Sequence, residues 1–402
     1  MASDNPAYQQ VQADLVSAVE EIAETLIGAS HAIHDNPELA FNEHFACETL
    51  TSALRNHKMT VDAGVYTLET AFESTINASS TGPTVAVLAE YDALPDIGHA
   101  CGHNIIATTA LGAAIALNTV ANRLPGRIKL LGTPAEERGG GKELMARAGA
   151  FQGIDAAMMI HPAGVNLATM PSICIAEVEV VYHGKASHAS AMPHKGVNAL
   201  DGLLLAYQAI SNLRQHIRST ERIHGIIEQG GAAPNIVPDR TVGQFFVRAA
   251  NEADLQRLKP RVQACFEAGA TGSGCSVDVN WAGVDYLDLN TNWPLAERFR
   301  HHAEALGRDF VDHDQALKFG AGSTDMGNVS YRVPSIHPML AVAPPNVVIH
   351  NPEFAQWARS EKGDAAVIDG AKALAQTAAE YLLSEDIQRQ TAAAFALSKG
   401  LS

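Results

Sequence analysis

The sequence predicts an α/β protein in which one domain is inserted into another. In the first third of the 402-residue chain, short apolar strands alternate with helical patterns, which is typical of a mainly parallel sheet sandwiched by helices. After residue 174 the order of elements becomes β-α-β-β-α-β, as in the ferredoxin-like split unit, and the α/β pattern resumes after residue 286. We therefore expect a discontinuous first domain at residues 1–174 and 287–402, and an inserted domain at residues 175–286.

The first domain opens with apolar residues at helical spacing between Val11 and Leu26. Apolar runs predict strands at residues 84–89, 127–132, 156–160 and 339–342. Helical patterns cover residues 105–121, 142–150, 293–306 and 364–383. The apolar run from Ile105 to Leu117 is too short to cross a bilayer and predicts a buried helix. The tail after Ser384 yields no prediction.

The inserted domain has its own sequence of strands and helices. Alternating or apolar runs predict strands at residues 175–182, 222–227, 241–248 and 276–281. Helical patterns predict helices at residues 198–217 and 252–268. The two helices separate the strands into the β-α-β-β-α-β order.

Composition and charge argue against several classes of function. The net charge is −16 and the chain has no basic run, which argues against binding to a nucleic acid backbone. Residues 1–4 have neither the basic nor the apolar region of a signal peptide, and no segment is typical of a membrane span. The five cysteines are odd in number and irregularly spaced, which argues against a disulfide framework and favours a cytoplasmic protein.

The first indication of chemistry is a thiol and an imidazole two positions apart, at Cys101 and His103. Both side chains are preferred ligands of borderline metal ions. Gly98 and Gly102 bracket Cys101 and allow a tight turn there. A buried cysteine beside a hydrogen-bonded histidine is the structural alternative, so this pair alone is a weak signal.

Three predicted strands end in further metal-binding residues. Because ligands of open α/β sheets gather at the carboxyl ends of the strands, these side chains should converge. The candidates are Glu90, Asp92, Glu136, Glu137 and His161, to which Cys101, His103 and the distant His350 can be added. Such a set exceeds the four ligands of a structural zinc site and suits two divalent ions that share a water. Of the adjacent Glu136 and Glu137, one can bind metal while the other transfers protons.

Several stretches together resemble the M20 metallopeptidase and amidohydrolase family, subgroup D. The resemblance extends from about residue 30 to residue 383, with its motifs in the family's order. The motifs are Asn36-Pro37-Glu38-Leu39-Ala40-Phe41, Asp92-Ala93-Leu94-Pro95, His99-Ala100-Cys101-Gly102-His103, Pro134-Ala135-Glu136-Glu137, Met158-Met159-Ile160-His161-Pro162, Gly184-Lys185-Ala186-Ser187-His188, Ser323-Thr324-Asp325-Met326-Gly327 and His350. Glu90-Tyr91-Asp92 and Asn104 look closest to the branch that holds p-aminobenzoyl-glutamate hydrolases, PM20D2-like dipeptidases and amino-acid-conjugate hydrolases.

This resemblance implies a hydrolase that cleaves an amide bond next to a free carboxylate. It implies a di-metal catalytic domain and an inserted lid domain through which the chain forms a homodimer. The implied metal ligands are Cys101, His103, Glu137, His161 and His350. Glu136 would be the general base, Asp92 would orient a ligand, and His188 would stabilise the oxyanion in the partner's site. The substrate carboxylate would be held by Asn235 and Arg248.

The sequence leaves some questions open. Glu90 stands where most of the family has the histidine of His-x-Asp, so it is either a metal ligand or a structural acceptor. Asp325 could contact substrate or cap the next helix, and Arg248 could form a plain surface salt bridge. The two divalent ions could be Zn or Mn, with Co or Ni as alternatives.

The substrate could be an N-acyl or N-aroyl amino acid, as for an aminoacylase, or a peptide, as for a dipeptidase or carboxypeptidase. A metal-binding dimer without catalysis, acting as a receptor or as a component of a complex, is the alternative from another class. No residue type in the sequence decides between these substrates.

Overall fold

The computed structural model describes residues 6–77, 79–312 and 321–400, which form two compact units. The first unit comprises the chain up to Pro171 and from Leu289 onward. The second unit comprises Ser172–Asp288. Each unit has its own core of buried apolar side chains.

The described strands, in chain order, are β1 (Asp62–Ala63), β2 (Phe72–Ile76), β3 (Thr84–Glu90), β4 (Arg127–Thr133), β5 (Ala156–Met158), β6 (His161–Ala163), β7 (Cys174–His183), β8 (Arg222–Gln229), β9 (Arg240–Ala249), β10 (Ser276–Trp281), β11 (Ser335–Ile336) and β12 (Met339–Ala341). The described α-helices are α1 (Pro6–Glu21), α2 (Ala23–Asp35), α3 (His44–Asn56), α4 (His103–Thr119), α5 (Gly141–Arg147), α6 (Ala199–Leu213), α7 (Glu252–Ser273), α8 (Trp293–Ala305), α9 (Met326–Ser330), α10 (Pro352–Trp357), α11 (Glu361–Leu383) and α12 (Glu385–Gly400).

The main sheet of the first unit has six strands in the order β1-β2-β4-β3-β5-β11. Strands β4, β3, β5 and β11 are parallel, while β2 and β1 continue the sheet as antiparallel edge strands. All seven residues of β3 are buried, as expected for a central strand with helices on both faces. The predicted α/β class with a mainly parallel sheet is thus confirmed.

Helix α4 lies in the centre of the first unit. Its residues from His103 to Leu117 are all buried, and it packs against α1, α2, α11 and β3. The predicted buried helix is therefore confirmed. Within the described ranges, we find no helix whose length and apolar character would let it cross a membrane.

The first unit differs from the prediction in three places. The strand predicted at residues 156–160 is divided, because β5 ends at Met158 and β6 pairs with β12 in a separate two-stranded sheet. Strands β1 and β2 and helix α3 were not predicted, since β1 and β2 are short and carry no continuous apolar run. The tail that gave no prediction forms α12, which packs against α8.

The second unit contains one antiparallel sheet in the order β10-β7-β9-β8. Helices α6 and α7 pack against each other and against this sheet. Alternate residues of β7, such as Val178, Val180 and Tyr182, are buried in this core with Leu203 of α6 and Phe266 of α7. The chain order is β-α-β-β-α-β, which is that of the ferredoxin-like unit.

A glycine at the start of α4 sets the position of the residues on either side of it. Gly102 has a φ of +81°, in the left-handed region where glycine pays no steric cost. A Cβ atom at Gly102 would lie 2.5 Å from the Cγ atom of Pro162, so the turn and the start of β6 touch through a missing side chain. This contact fixes the approach of the Cys101 turn to the strand that carries His161.

We expect Gly102→Ala to destabilise the protein more than Gly153→Ala. Gly153 also has a positive φ, of +70°, but a Cβ atom there would meet nothing within 4 Å, so it reports the backbone cost alone. That cost should be about 1–2 kcal/mol, and the contact with Pro162 should add about 1–3 kcal/mol in Gly102→Ala. Urea unfolding of both variants measures the difference, and equal free energies of unfolding would show that the Pro162 contact is not restrictive.

Candidate metal centre

The site lies where three strands of the main sheet end. Strands β3 and β4 are paired in parallel up to Glu90 and Thr133, and β5 is paired with β3 up to Met158 and Val87. The residues that follow, Asp92, Glu136, Glu137 and His161, therefore leave the sheet at one edge. The structure brings the side chains predicted at these strand ends together, as the parallel register requires.

Three overlapping groups of side chains place potential ligand atoms within 4.8 Å of one another. The groups are Cys101–His103–His161, Cys101–Glu137–His350 and Glu90–His103–Glu136. All five residues that the resemblance implies as ligands are among them. Glu90 is also a member, which the sequence left undecided.

The imidazoles of His103 and His161 meet the Cys101 thiol in a buried environment. His161 holds Nε2 at 3.4 Å from the Cys101 Sγ atom, while its Nδ1 lies 2.7 Å from the carbonyl oxygen of Pro162. A carbonyl can only accept, so Nδ1 carries the proton and Nε2 presents its lone pair to the centre. Burial lowers the pKa of His161 to about 4, which keeps this imidazole neutral.

Asp92 connects two of the candidate ligands. Its Oδ1 atom lies 3.2 Å from Nδ1 of His103, and its Oδ2 atom accepts the backbone N–H of Glu137 at 2.9 Å. Asp92 is almost completely buried. A carboxylate in this position orients the His103 ring and fixes the turn that carries Glu137.

Two residues with unusual backbone conformations aim side chains at the centre. Ala135 and His350 both have φ of +61°, which is uncommon for residues other than glycine. The Glu43 carboxylate accepts the backbone N–H of Ala135 at 2.8 Å and so holds this turn from the start of α3. His350 donates its backbone N–H to the carbonyl of Ala100 at 2.8 Å, and its Nε2 lies 3.3 Å from Oε2 of Glu137.

Glu136 and Glu137 have different environments, as two different tasks require. Glu136 is buried, and burial together with the nearby carboxylates of Glu90 and Glu137 raises its pKa well above the ordinary value. Glu137 is largely buried, which would raise its pKa, but its bond to His350 and the charge of His103 outweigh burial and lower it. Glu136 is therefore the carboxylate that is suited to accept and hold a proton.

The residues fit divalent metal ions on their own geometry. Atoms Oε1 of Glu90, Nε2 of His103 and Oε1 of Glu137 are buried and have no hydrogen-bond partner among the described residues. These unpartnered atoms belong to the groups whose ligand atoms converge. Thiol, imidazole and carboxylate are together a donor set for zinc or manganese rather than for calcium.

Sequence reasoning missed a buried lysine beside this centre. Lys142 is fully buried, and its Nζ atom donates to Oε2 of Glu90 at 2.5 Å and to Oδ1 of Asp325 at 2.7 Å. Asp325 therefore contacts Lys142, and its side chain forms no cap at the start of α9. The signal that could have found Lys142 is its place after three glycines, Gly139, Gly140 and Gly141, at the start of α5.

A further buried histidine was also missed. The His337 ring lies 5.6 Å from the ring of His161, centroid to centroid, and is completely buried. Both of its ring nitrogens lack a hydrogen-bond partner within the described part of the chain, and burial lowers its pKa to about 3. Since it follows a short strand without any motif, the sequence offered no signal for it.

The remaining predicted residues lie in the second unit. His188 is exposed and forms a β-bridge with Ile236, next to Asn235, so these two predicted residues come together. The backbone N–H of Ala191 donates to Nδ1 of His188 at 3.3 Å, which leaves Nε2 as the protonated nitrogen.

Arg248 lies apart from His188 and Asn235 in the same chain. Strand β9 begins at Arg240, a few residues after Asn235, and Arg248 is near its far end. Eight residues of extended strand separate Arg240 from Arg248, or roughly 27 Å at about 3.4 Å per residue. Arg248 donates Nε–H to Nε2 of His224 at 3.3 Å and lies over the Phe246 ring.

Comparison with known proteins gives consistent matches over most of the chain. A profile of Peptidase family M20/M25/M40 matches residues 86–380. The Xaa-Arg dipeptidase of Mus musculus is 41% identical over 376 residues, which span 90% of this chain and 87% of the relative. The p-aminobenzoyl-glutamate hydrolase of Escherichia coli (strain K12) has a polypeptide that is 26% identical over 460 residues, which span 95% of this chain and 94% of that relative.

A solved structure agrees with these matches at the level of the fold. It is that of the Bacillus subtilis YXEP protein, described as a dinuclear metal binding peptidase from the M20 family. The superposition has a TM-score of 0.69 at 21% identity and covers 91% of this chain and 99% of the other.

The matched region runs from β3 into α11 and contains every residue of the three ligand groups. The two curated relatives belong to the branch that the motifs predicted, so the predicted resemblance is confirmed. The family assignment also argues against the alternative of a metal-binding dimer without catalysis. The chain belongs to Peptidase family M20/M25/M40 and is a metal-dependent hydrolase of amide bonds.

Proposed function

We propose that this enzyme cleaves the amide bond of dipeptides and of N-acyl or N-aroyl amino acids that carry a free carboxylate. Dipeptides that end in arginine are the first candidates, because the Xaa-Arg dipeptidase is 41% identical. The observation that carries the proposal is the buried Glu136 carboxylate within a cluster of metal-ligating side chains. Net charge also supports a basic substrate, since a chain of charge −16 attracts cations.

Five side chains would hold two divalent ions, Zn or Mn in the first place and Co or Ni as alternatives. They are Cys101, His103, Glu137, His161 and His350. Such ions supply a nucleophilic water at neutral pH and polarise the amide carbonyl. Asp92 would keep His103 in the tautomer that presents Nε2, through its contact with Nδ1 at 3.2 Å.

Glu136 would transfer the proton. It takes a proton from water while the water oxygen attacks the amide carbon, and it returns the proton to the leaving nitrogen as the C–N bond breaks. The raised pKa of Glu136, caused first by burial and then by Glu90 and Glu137, favours its protonated form between these two steps. His188 would donate from Nε2 to the oxyanion that develops at the carbonyl oxygen.

The substrate carboxylate would be bound by Asn235 and Arg248. Within one chain these residues are separated by the length of β9, roughly 27 Å at about 3.4 Å per residue. That separation exceeds a dipeptide and supports a homodimer, formed through the second unit, in which one protomer supplies Arg248 and the other Asn235 and His188. A cytoplasmic location completes the proposal, since all five cysteines are free.

We expect the metal-loaded protein to hydrolyse dipeptides with C-terminal arginine, and Glu136→Gln to lose this activity. The glutamine side chain cannot accept the proton, so kcat should fall by about 10²- to 10⁴-fold. Elemental analysis should show unchanged metal content in this variant. Glu143→Gln, which removes a buried carboxylate bonded to Arg147 and Arg332 outside the ligand groups, is the matched control and should remain active.

The substrate panel for this test includes dipeptides ending in arginine, lysine, alanine and glutamate, together with p-aminobenzoyl-glutamate and N-acetyl amino acids. A higher kcat/KM on p-aminobenzoyl-glutamate or N-acetyl amino acids would replace the dipeptidase assignment with that of an aminoacylase. Full activity of Glu136→Gln would contradict the assignment of Glu136 as the base.

We expect two inactive variants to restore activity when their protomers are exchanged. His188→Ala should lack the oxyanion donor, and Glu136→Gln should lack the base. Random exchange gives half mixed dimers with one intact site each, so about one quarter of wild-type activity should return. Protomer exchange is followed by native mass spectrometry. Mixed dimers without activity, or a monomeric protein in which His188→Ala is inactive, would contradict the shared site.

A further inference from the structure

We propose that Glu90 is an additional carboxylate ligand of the metal centre, held in place by Lys142 and Asp325. This inference rests on the proposed function, because it concerns the same ions. It adds a residue outside the five implied ligands. It also gives one end of the centre a harder, oxygen-rich character than the end formed by Cys101 and His161.

The first argument comes from two atoms that face each other. Oε1 of Glu90 lies 3.2 Å from Nε2 of His103, and both are buried and unpartnered by any hydrogen bond within the described residues. His103 already uses Nδ1 toward the Asp92 carboxylate, which can only accept when ionised, so Nδ1 carries the proton. Two lone pairs then face each other, and a cation between Glu90 and His103 turns this repulsion into coordination.

The second argument comes from the way Glu90 is held. Its other oxygen, Oε2, accepts from Lys142 at 2.5 Å, and Lys142 is itself fixed by Asp325. Asp325 accepts from Lys142 twice, with Oδ1 from Nζ at 2.7 Å and with Oδ2 from the backbone N–H at 2.8 Å. This arrangement sets the rotation of the Glu90 carboxyl group and leaves Oε1 directed toward His103.

The third argument is the charge of this buried group. Glu90, Lys142 and Asp325 are all completely buried, and with both carboxylates ionised they carry a net charge of −1. A buried ion group is stable only when its charges are compensated, and Lys142 can neutralise only one of the two carboxylates. A divalent ion at Oε1 of Glu90 provides the missing positive charge.

The ligand types also predict which ion binds here. The group of Glu90, His103 and Glu136 offers carboxylates and one imidazole, which suit Mn²⁺. The group of Cys101, His103 and His161 offers a thiolate and imidazoles, which suit Zn²⁺. We therefore expect the Glu90 position to bind Mn²⁺ and the Cys101 position to retain Zn²⁺.

The test measures metal binding rather than turnover. Apo-protein is titrated with Mn²⁺ and with Zn²⁺ by calorimetry, for wild type and Glu90→Gln. Glutamine keeps the shape of Glu90 and still accepts from Lys142, and it leaves Lys142 and Asp325 as a neutral pair. We expect Mn²⁺ affinity to fall at least about tenfold, while Zn²⁺ binding at the Cys101 position changes little. Unchanged Mn²⁺ affinity in a folded Glu90→Gln protein would overturn the inference.

Glu143→Gln is the control, because Glu143 is a buried carboxylate on the same helix as Lys142 that bonds Arg332 and Arg147. It should bind both ions as wild type does, and an equal loss of Mn²⁺ affinity in this variant would overturn the specific role of Glu90. If Glu90→Gln does not fold by circular dichroism, Glu90→Asp keeps the charge and withdraws the carboxylate by one methylene. The Co²⁺-loaded Glu90→Asp protein should then differ from wild type in its visible absorption spectrum, and an identical spectrum would overturn the inference.

Failure of the proposed function gives a different result. If wild-type protein binds neither ion, the metal centre itself is wrong, and the Glu90 inference falls with it. If wild type binds about two equivalents and Glu90→Gln binds them equally well, only the role of Glu90 is wrong.

Discussion

The parallel pairing of β3 with β4 and β5 is the constraint on which the site depends. It places Glu90 opposite Thr133, and it places Met158 opposite Val87, three residues before the end of β3. Counting three residues onward from Met158 gives His161, so the same register carries the chain to the level of Glu90. Three separate segments thus deliver carboxylate and imidazole groups to one edge without any long loop.

Crowding of negative charge at this edge decides how the side chains are used. Glu90, Asp92 and Glu136 are all buried close to His103. Glu90 and Asp92 find different partners, since Glu90 bonds Lys142 and Asp92 bonds His103 and the Glu137 backbone. Glu136 lies close to the carboxylates of both Glu90 and Glu137, and its pKa is raised by burial and by these neighbours. The same crowding therefore makes the edge a cation site and leaves Glu136 as the proton carrier.

Sequence reasoning found the ligands because strand ends in a parallel sheet have a fixed relation to one another. Cys101, Glu137 and His161 could be predicted from local motifs and from that relation alone. Lys142 and Asp325 could not, because their contact spans 183 positions and neither residue type indicates a metal site. Glu43 supports the strained Ala135 from the start of α3, a helix that was not predicted, so its role was also hidden. What escaped prediction is the layer that holds the ligands, which depends on tertiary packing rather than on spacing.

The geometry of the second unit limits how one substrate can be recognised. Asn235 lies beside His188 at one end of the sheet, and Arg248 lies near the opposite end of β9. A straight strand cannot bring its two ends to one small carboxylate, whatever the side-chain rotamers. Binding by both residues therefore requires two copies of the chain, and a requirement for two copies makes activity depend on assembly. Dilution below the dimer dissociation constant would then reduce turnover per chain while the ligand groups within each first unit stay intact, since those groups are complete in a single chain.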